Sequence, residues 1–258
     1  MLEWLLRGLR QGRITTLYPH ASERPPIGYH GPIEVVNAYG ASGPLAQLCP
    51  TGAIAVDEEG GVSVDRGRCI LCGECVRVAP ERFRFADAYE TAARARGGLV
   101  VPEGLPDDAP RRTSLGDAAS ALRRSIHVRH IDCGSDGAEE WEIQALWNPY
   151  YDIQRLGFFL TNAPRHADVL LVTGGVTSAM REPLERTWEV MPWPKALLAV
   201  GTDACSGGLA GGGNVTAGGV DRVLPVDVYV PGSPPAPIAI MHGLLLAVGL
   251  LDPSRVTA

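Results

Sequence analysis

Six cysteines occur in the chain, and three of them fall within seven residues: Cys69, Cys72 and Cys75, spaced C-x2-C-x2-C. Thiolates are soft ligands suited to iron–sulfur clusters and to zinc. Three thiolates at this spacing wrap three corners of a cubane, because each two-residue gap carries the chain from one iron to the next. A structural zinc ion, the alternative, more often takes paired two-cysteine hooks. Where such runs come in pairs they continue C-x3-C-P, and the fourth cysteine of each run serves the other run's cluster. Here that place holds Ala79, followed by Pro80. Cys49-Pro50 closes an earlier run whose three preceding ligand places hold Tyr39, Ser42 and Leu45. The count leaves one complete set, Cys49, Cys69, Cys72 and Cys75, expected to bind one [4Fe–4S] cluster. The other set, Tyr39, Ser42, Leu45 and Ala79, has no thiolate.

The rest of the chain narrows the setting. With 258 residues and 45% hydrophobic content it can bury a sizeable core as one large or two smaller domains. A net charge of −6 is the opposite of the basic footprint of a nucleic-acid binder. The opening residues 1–13 mix apolar and basic groups without a following cleavage signature, so a leading helix or a surface-resting amphipathic segment is expected rather than a signal peptide. Cysteines spaced as ligands imply a reducing compartment. The longest apolar stretch, Ile238–Leu251, is too short to span a bilayer and reads as a buried helix. No Ser-His-Asp set, P-loop or zinc-protease helix stands out in the sequence.

Two halves must position these residues. Residues 1–96 are loop-rich and carry four of the six cysteines, and 97–114 are rich in Gly, Pro and charge, as a linker is. From 115 to 258 helical and apolar strand patterns alternate. Helices are predicted over Leu115–Ser125, Ala138–Trp147, Thr177–Val190 and Pro237–Leu251. Strands are predicted over Ile126–Ile131, Ala167–Thr173, Lys195–Gly201 and Val226–Val230. Short continuous apolar strands between helices imply a parallel sheet covered on both faces. Functional groups then gather in the loops after Ile131, Thr173, Gly201 and Val230. Residues 206–219 are glycine-rich but lack a G-x-G-x-x-G spacing, so loop packing is preferred there over a nucleotide site.

With these residues in view the first half, through Gly12–Pro19, CPTGAI and CILCGEC, resembles the ferredoxin-like subunit of complex I and of membrane-bound group 4 [NiFe] hydrogenases. The second half resembles the small subunit of the same assemblies, in complex I and in the hydrogenases alike. The matching stretches are Asp132-Cys-Gly-Ser, Asn148-Pro-Tyr-Tyr-Asp-Ile, residues 164–174, Ala199-Val-Gly-Thr and residues 219–232. The resemblance implies an α+β ferredoxin-like domain followed by an α/β flavodoxin-like domain. It further implies a large subunit of the complex I or hydrogenase type and a membrane subunit as partners. Location would be cytoplasmic, peripheral on the inner face of the cell membrane.

In that family the small subunit holds a second cluster through four cysteines. The four matching positions here are Asp136, Glu139, Asp203 and Ser233. Hard oxygen ligands do not sustain a cubane. They suit polar filling of a vacated cavity, a Mg²⁺ or Ca²⁺ site, or protonatable groups, and three carboxylates in one cavity need a cation or bound protons. Cys133 and Cys205 nearby read as small buried hydrophobes, a redox pair or replacement ligands. Arg165 and His166 are expected in structural or subunit contacts, and His127, Arg129 and His130 on a strand face toward solvent or a partner. The resemblance implies an electron-transfer subunit, incomplete as an enzyme by itself. The alternative is a scaffold or proton- or cation-coupling subunit whose remaining cluster is structural or sensory.

Overall fold

The computed structural model describes residues 2–40, 45–102, 115 and 125–251. Apart from its two ends, the helix predicted over Leu115–Ser125 lies outside them, as do Ser42 and the later part of the predicted linker. The first half runs α1 (Leu2–Gln11), β1 (Ile33–Val35), α2 (Leu45–Leu48), β2 (Ile54–Val56), β3 (Val62–Asp65), α3 (Glu74–Val78), β4 (Phe83–Phe85) and β5 (Val100–Val101). β1 pairs antiparallel with β4, while β2 and β3 form a hairpin whose β3 edge takes β5. Val100–Val101 thus form a strand within the expected linker. The small sheets are apolar on one side only. Ile33, Ile54, Val62, Val64 and Phe83 point inward around a core that Cys49, Cys69 and Cys75 border.

The second half continues with β6 (Ile126–Asp132), α4 (Ala138–Ala145), β7 (Phe158–Leu160), β8 (Val169–Thr173), α5 (Ser178–Val190), β9 (Ala196–Val200), α6 (Thr202–Ser206), β10 (Val228–Val230) and α7 (Pro237–Ala247). Five parallel strands stand in the order β10-β9-β8-β6-β7. All residues of β8 and β9 are buried, as strands covered on both faces must be. Val169 and Leu171 pack into the cluster formed with α7, and Leu170 and Val172 into the cluster holding Leu184 of α5. That is the two-residue alternation of a pleated strand. Every residue of α7 is buried, and each of its leucines contributes roughly 2 kcal/mol by leaving water. The chain passes from β6 to β7 on one side and returns to β8 on the other. The switch point therefore lies between the carboxyl ends of β6 and β8. Open parallel sheets place their ligand crevices at such a point.

The halves are sewn together along their length. The Thr16 N–H donates to the Tyr150 carbonyl at 2.8 Å, and Tyr18 is buried in the core of the second half. Ala93 and Tyr229 exchange two backbone hydrogen bonds of 2.9 and 2.8 Å, and Leu99 enters the core on the α5 side of the large sheet. Among the described residues, no helix is long and apolar enough to cross a membrane.

Candidate metal centre

Cys49 follows α2 at the head of a tight turn. Gly52, at a φ of +62°, lets its own N–H return to the Cys49 carbonyl at 3.2 Å. The Ala53 N–H donates to Cys49 Sγ at 3.2 Å, and the Thr51 hydroxyl lies 3.5 Å from the same sulfur. Cys69 leaves the turn that ends β3. Two left-handed residues, Leu71 (φ 56°) and Gly73 (φ 75°), then coil the chain so that Cys72 and Cys75 turn back toward it. A side chain at Gly73 would come within 2.9 Å of the Phe85 ring, so close packing as well as φ calls for glycine there. Phe85 is held in turn by stacking on His30, with centroids 4.4 Å apart.

All four cysteines line one cavity, walled by apolar side chains that include Ile33, Ile54 and Val64. Cys72 is exposed and the other three are half-buried. Burial pushes the Cys69 thiol up to about 12, and Cys75, Cys49 and Cys72 push the same way. Burial also raises Cys75. At Cys49 burial acts upward too, yet the bonds from Thr51 and the backbone leave its thiol below the ordinary value. The set of soft donors, dry walls and an N–H donor to sulfur fits an iron–sulfur cluster. The sulfurs ring a cavity instead of meeting at a point. Among the described residues no three His, Cys, Asp or Glu side chains converge closely enough to hold a single ion. Of the other set, Tyr39 is exposed while Leu45 and Ala79 are buried.

The oxygen-bearing positions lie at the switch point and beside it. Asp136 is exposed in the loop after β6, Glu139 is in the first turn of α4, and Asp203 is in α6. Glu139 is only 3% exposed, and its Oε2 is buried without a hydrogen-bond partner. Burial raises its carboxyl to about 7, with Asp136, Asp203 and Glu140 adding to the effect. Burial and Asp136 raise Asp203 as well. The Glu139 carboxyl occupies the space where Gly201 would carry a side chain, 2.5 Å from that Cβ position. Ser233 is exposed. Cys133 and Cys205 are fully buried in apolar surroundings, where burial pushes each thiol up to about 12.

Three features of the site had no signal in the sequence. Thr202 Oγ1 lies 3.0 Å from the Cys69 carbonyl and 3.1 Å from that of Gly232, which ties the cysteine loop to the edge of the large sheet. Glu140 accepts from Ser135 at 2.7 Å and from the Thr173 hydroxyl. With its proton committed there, Thr173 accepts from His130 Nε2 at 3.0 Å, which fixes the proton on that ring nitrogen. His130 thus faces this network, while His127 stays half-exposed and Arg165 and His166 are exposed.

Comparison with known proteins follows this division. Residues 136–247 match the model of the NADH ubiquinone oxidoreductase 20 Kd subunit family, and residues 62–119 match a 4Fe-4S single cluster domain. The "Probable membrane-bound hydrogenase subunit mbhJ" of Pyrococcus furiosus is 43% identical over 127 residues, 49% of this chain and 76% of that protein. The chain belongs to the 20 Kd subunit family. Formate hydrogenlyase subunit 7 of Escherichia coli is 40% identical over 160 residues, 62% of each chain. An NADH-quinone oxidoreductase subunit of Amoebophilus asiaticus is 42% identical over 105 residues, 40% of this chain and 66% of that protein. The chain thus spans under two thirds of the length of the formate hydrogenlyase subunit. The 20 Kd family match takes in Asp136, Glu139, Asp203 and Ser233, and the single-cluster match takes in Cys69, Cys72 and Cys75 but not Cys49.

Proposed function

We propose that this chain is an electron-transfer subunit of a membrane-associated oxidoreductase of the hydrogenase or NADH–quinone oxidoreductase type, with one [4Fe–4S] cluster held by Cys49, Cys69, Cys72 and Cys75. The observation that carries the reading is the convergence of all four thiols on one apolar cavity whose outer corner, Cys72, is exposed. A bound cluster supplies one-electron uptake and release. The chain's own residues set the conditions. Ile33, Ile54 and Val64 exclude water, the Ala53 N–H and Thr51 hydroxyl stabilise charge on the Cys49 sulfur, and Cys72 brings the site to the surface. The large sheet serves as the docking body for a large subunit and, through it, a membrane subunit on the inner face of the membrane.

Glu139 favours a second reading for the other site. A buried carboxyl with an unpartnered oxygen among Asp136, Asp203 and Glu140 suits proton or cation coupling better than electron transfer. Anaerobic purification with iron and sulfide analysis and EPR, on wild type and Cys72→Ala, tests the pair. About four irons per chain and a reducible signal lost in the variant support a single cluster. About eight irons would put a second cluster at the carboxylate site, and no iron would leave a scaffold.

A further inference from the structure

Residues 206–219 form a glycine-rich loop whose Gly208 packs against the Asp203 carboxylate but whose other side faces away from both sites described above. Gly207, Gly208, Gly211 and Gly218 all take positive φ, at 86°, 54°, 62° and 86°. The loop folds backbone against backbone: a side chain on Gly218 would come within 2.6 Å of Gly212 Cα, and one on Gly207 within 2.7 Å of Gly218 Cα. The result is the backbone floor of an open cavity of about 440 Å³. Arg68, Arg181 and Arg222 line its walls; among the described residues no carboxylate lines it, though the Asp203 carboxylate packs behind Gly208.

These arginines arrive from three distant segments of a chain whose net charge is −6. Their own partners are weak. Asp65 is held by both guanidinium nitrogens of Arg96 at 2.6 and 2.7 Å, which leaves Arg68 a loose contact of 3.7 Å to the same carboxylate. Arg181 pairs with Glu185 along the solvent face of α5, an arrangement worth little in water. Arg222 bonds through its backbone N–H to the Gly219 carbonyl, and its guanidinium has no hydrogen bond or ion pair with another described residue. The Gly212 N–H likewise donates to no described group. Three guanidiniums around one cavity repel unless an anion stands between them. Guanidinium forks above a glycine backbone match the several oxygens of a phosphoryl group better than the two of a carboxylate.

We propose that the cavity between Arg68, Arg181, Arg222 and the 206–218 glycine loop binds a phosphoryl-bearing anion. Thr51, whose hydroxyl faces Cys49 Sγ, lines the same cavity, so the anion would sit beside the cysteine site. The binding does not depend on what that site holds. The full chain, purified anaerobically, is titrated calorimetrically with inorganic phosphate and with ADP, and sedimented with phosphatidylglycerol vesicles. One-to-one phosphate binding is expected, weakened about tenfold in Arg222→Gln and in Arg181→Gln, the loss of one charge-assisted hydrogen bond. Arg186→Gln, on the same helix but outside the cavity, should leave it unchanged. Tighter ADP binding lost in the cavity variants would identify a free nucleotide as the source. Vesicle binding displaced by phosphate would identify a lipid headgroup, and either result keeps the assignment. Failure of all three probes to bind, undiminished binding in the cavity variants, or equal weakening in Arg186→Gln overturns it.

Discussion

The cavity bordered by Cys49, Cys69, Cys72 and Cys75 and the crevice bordered by Asp136, Glu139 and Asp203 are near neighbours. They are joined through Gly201 and Thr202: the Glu139 carboxyl packs on the first, and the second reaches the Cys69 carbonyl. In the cavity, apolar walls surround soft donors, and an N–H group points at sulfur. In the crevice, hard donors crowd one another and one carboxylate oxygen has no donor at all. At Gly201, with a φ of +92°, the backbone leaves room for the Glu139 carboxyl to pack against it.

The largest expected effect is on iron content. Cys69→Ala removes the thiol most deeply surrounded by the others, and iron should fall from about four per chain to near zero by colorimetric assay. Iron retained in that variant would mean that the carboxylate crevice, or another set, binds it.

The next effect is on pH dependence. Glu139 has a carboxyl raised from an ordinary 4.5 to about 7 by burial first and by Asp136, Asp203 and Glu140 after it. A raised carboxyl stabilises the fold fully below pH 4.5, and that contribution is lost as pH rises through 7. Glu139→Gln keeps the shape and removes the titration. Its stability advantage over wild type should grow by roughly 2.5 kcal/mol between pH 5 and pH 8 in urea unfolding. An advantage that stays constant across that range would show that the carboxyl is satisfied and that the crevice is ordinary polar filling.

Smaller effects probe the link and the bystanders. Thr202→Val deletes the hydroxyl shared by the Cys69 and Gly232 carbonyls. It should cost about 1 kcal/mol and make cluster loss on dilution faster, read as decay of visible absorbance. Unchanged decay would make the two sites independent. Cys133→Ala and Cys205→Ala should each cost about 1 kcal/mol through lost packing and leave iron content unchanged. Reduced iron in either would place a thiol outside the four among the ligands.

The thiol set and most of the large sheet were legible because both are written in short-range patterns. Two-residue gaps between cysteines limit what the chain can wrap, and continuous apolar runs such as Val169–Thr173 and Ala196–Val200 demand cover on both faces. Four strands of the large sheet match predicted stretches to within two residues at either end: β6 runs on to Asp132 rather than stopping at Ile131, and β8 starts at Val169 rather than Ala167. The last helix, α7, ends at Ala247 rather than Leu251. Phe158–Leu160 and Val100–Val101 went unread, since strands of three and two residues carry no period. The depth of Glu139 was invisible as well, because a glutamate in a first helical turn is ordinarily solvated. The packing of Gly201, distant in sequence, against its carboxyl is part of what encloses it. Thr202 on Cys69, and the meeting of Arg68, Arg181 and Arg222, join residues more than forty positions apart. Which thiols stand at cluster spacing and which segments must be buried can be read along the chain, because these are local properties of the covalent polymer. The tertiary structure alone decided which carboxylate is stranded, which arginines face one another and how the two sites touch, because burial and charge depend on what distant segments bring alongside.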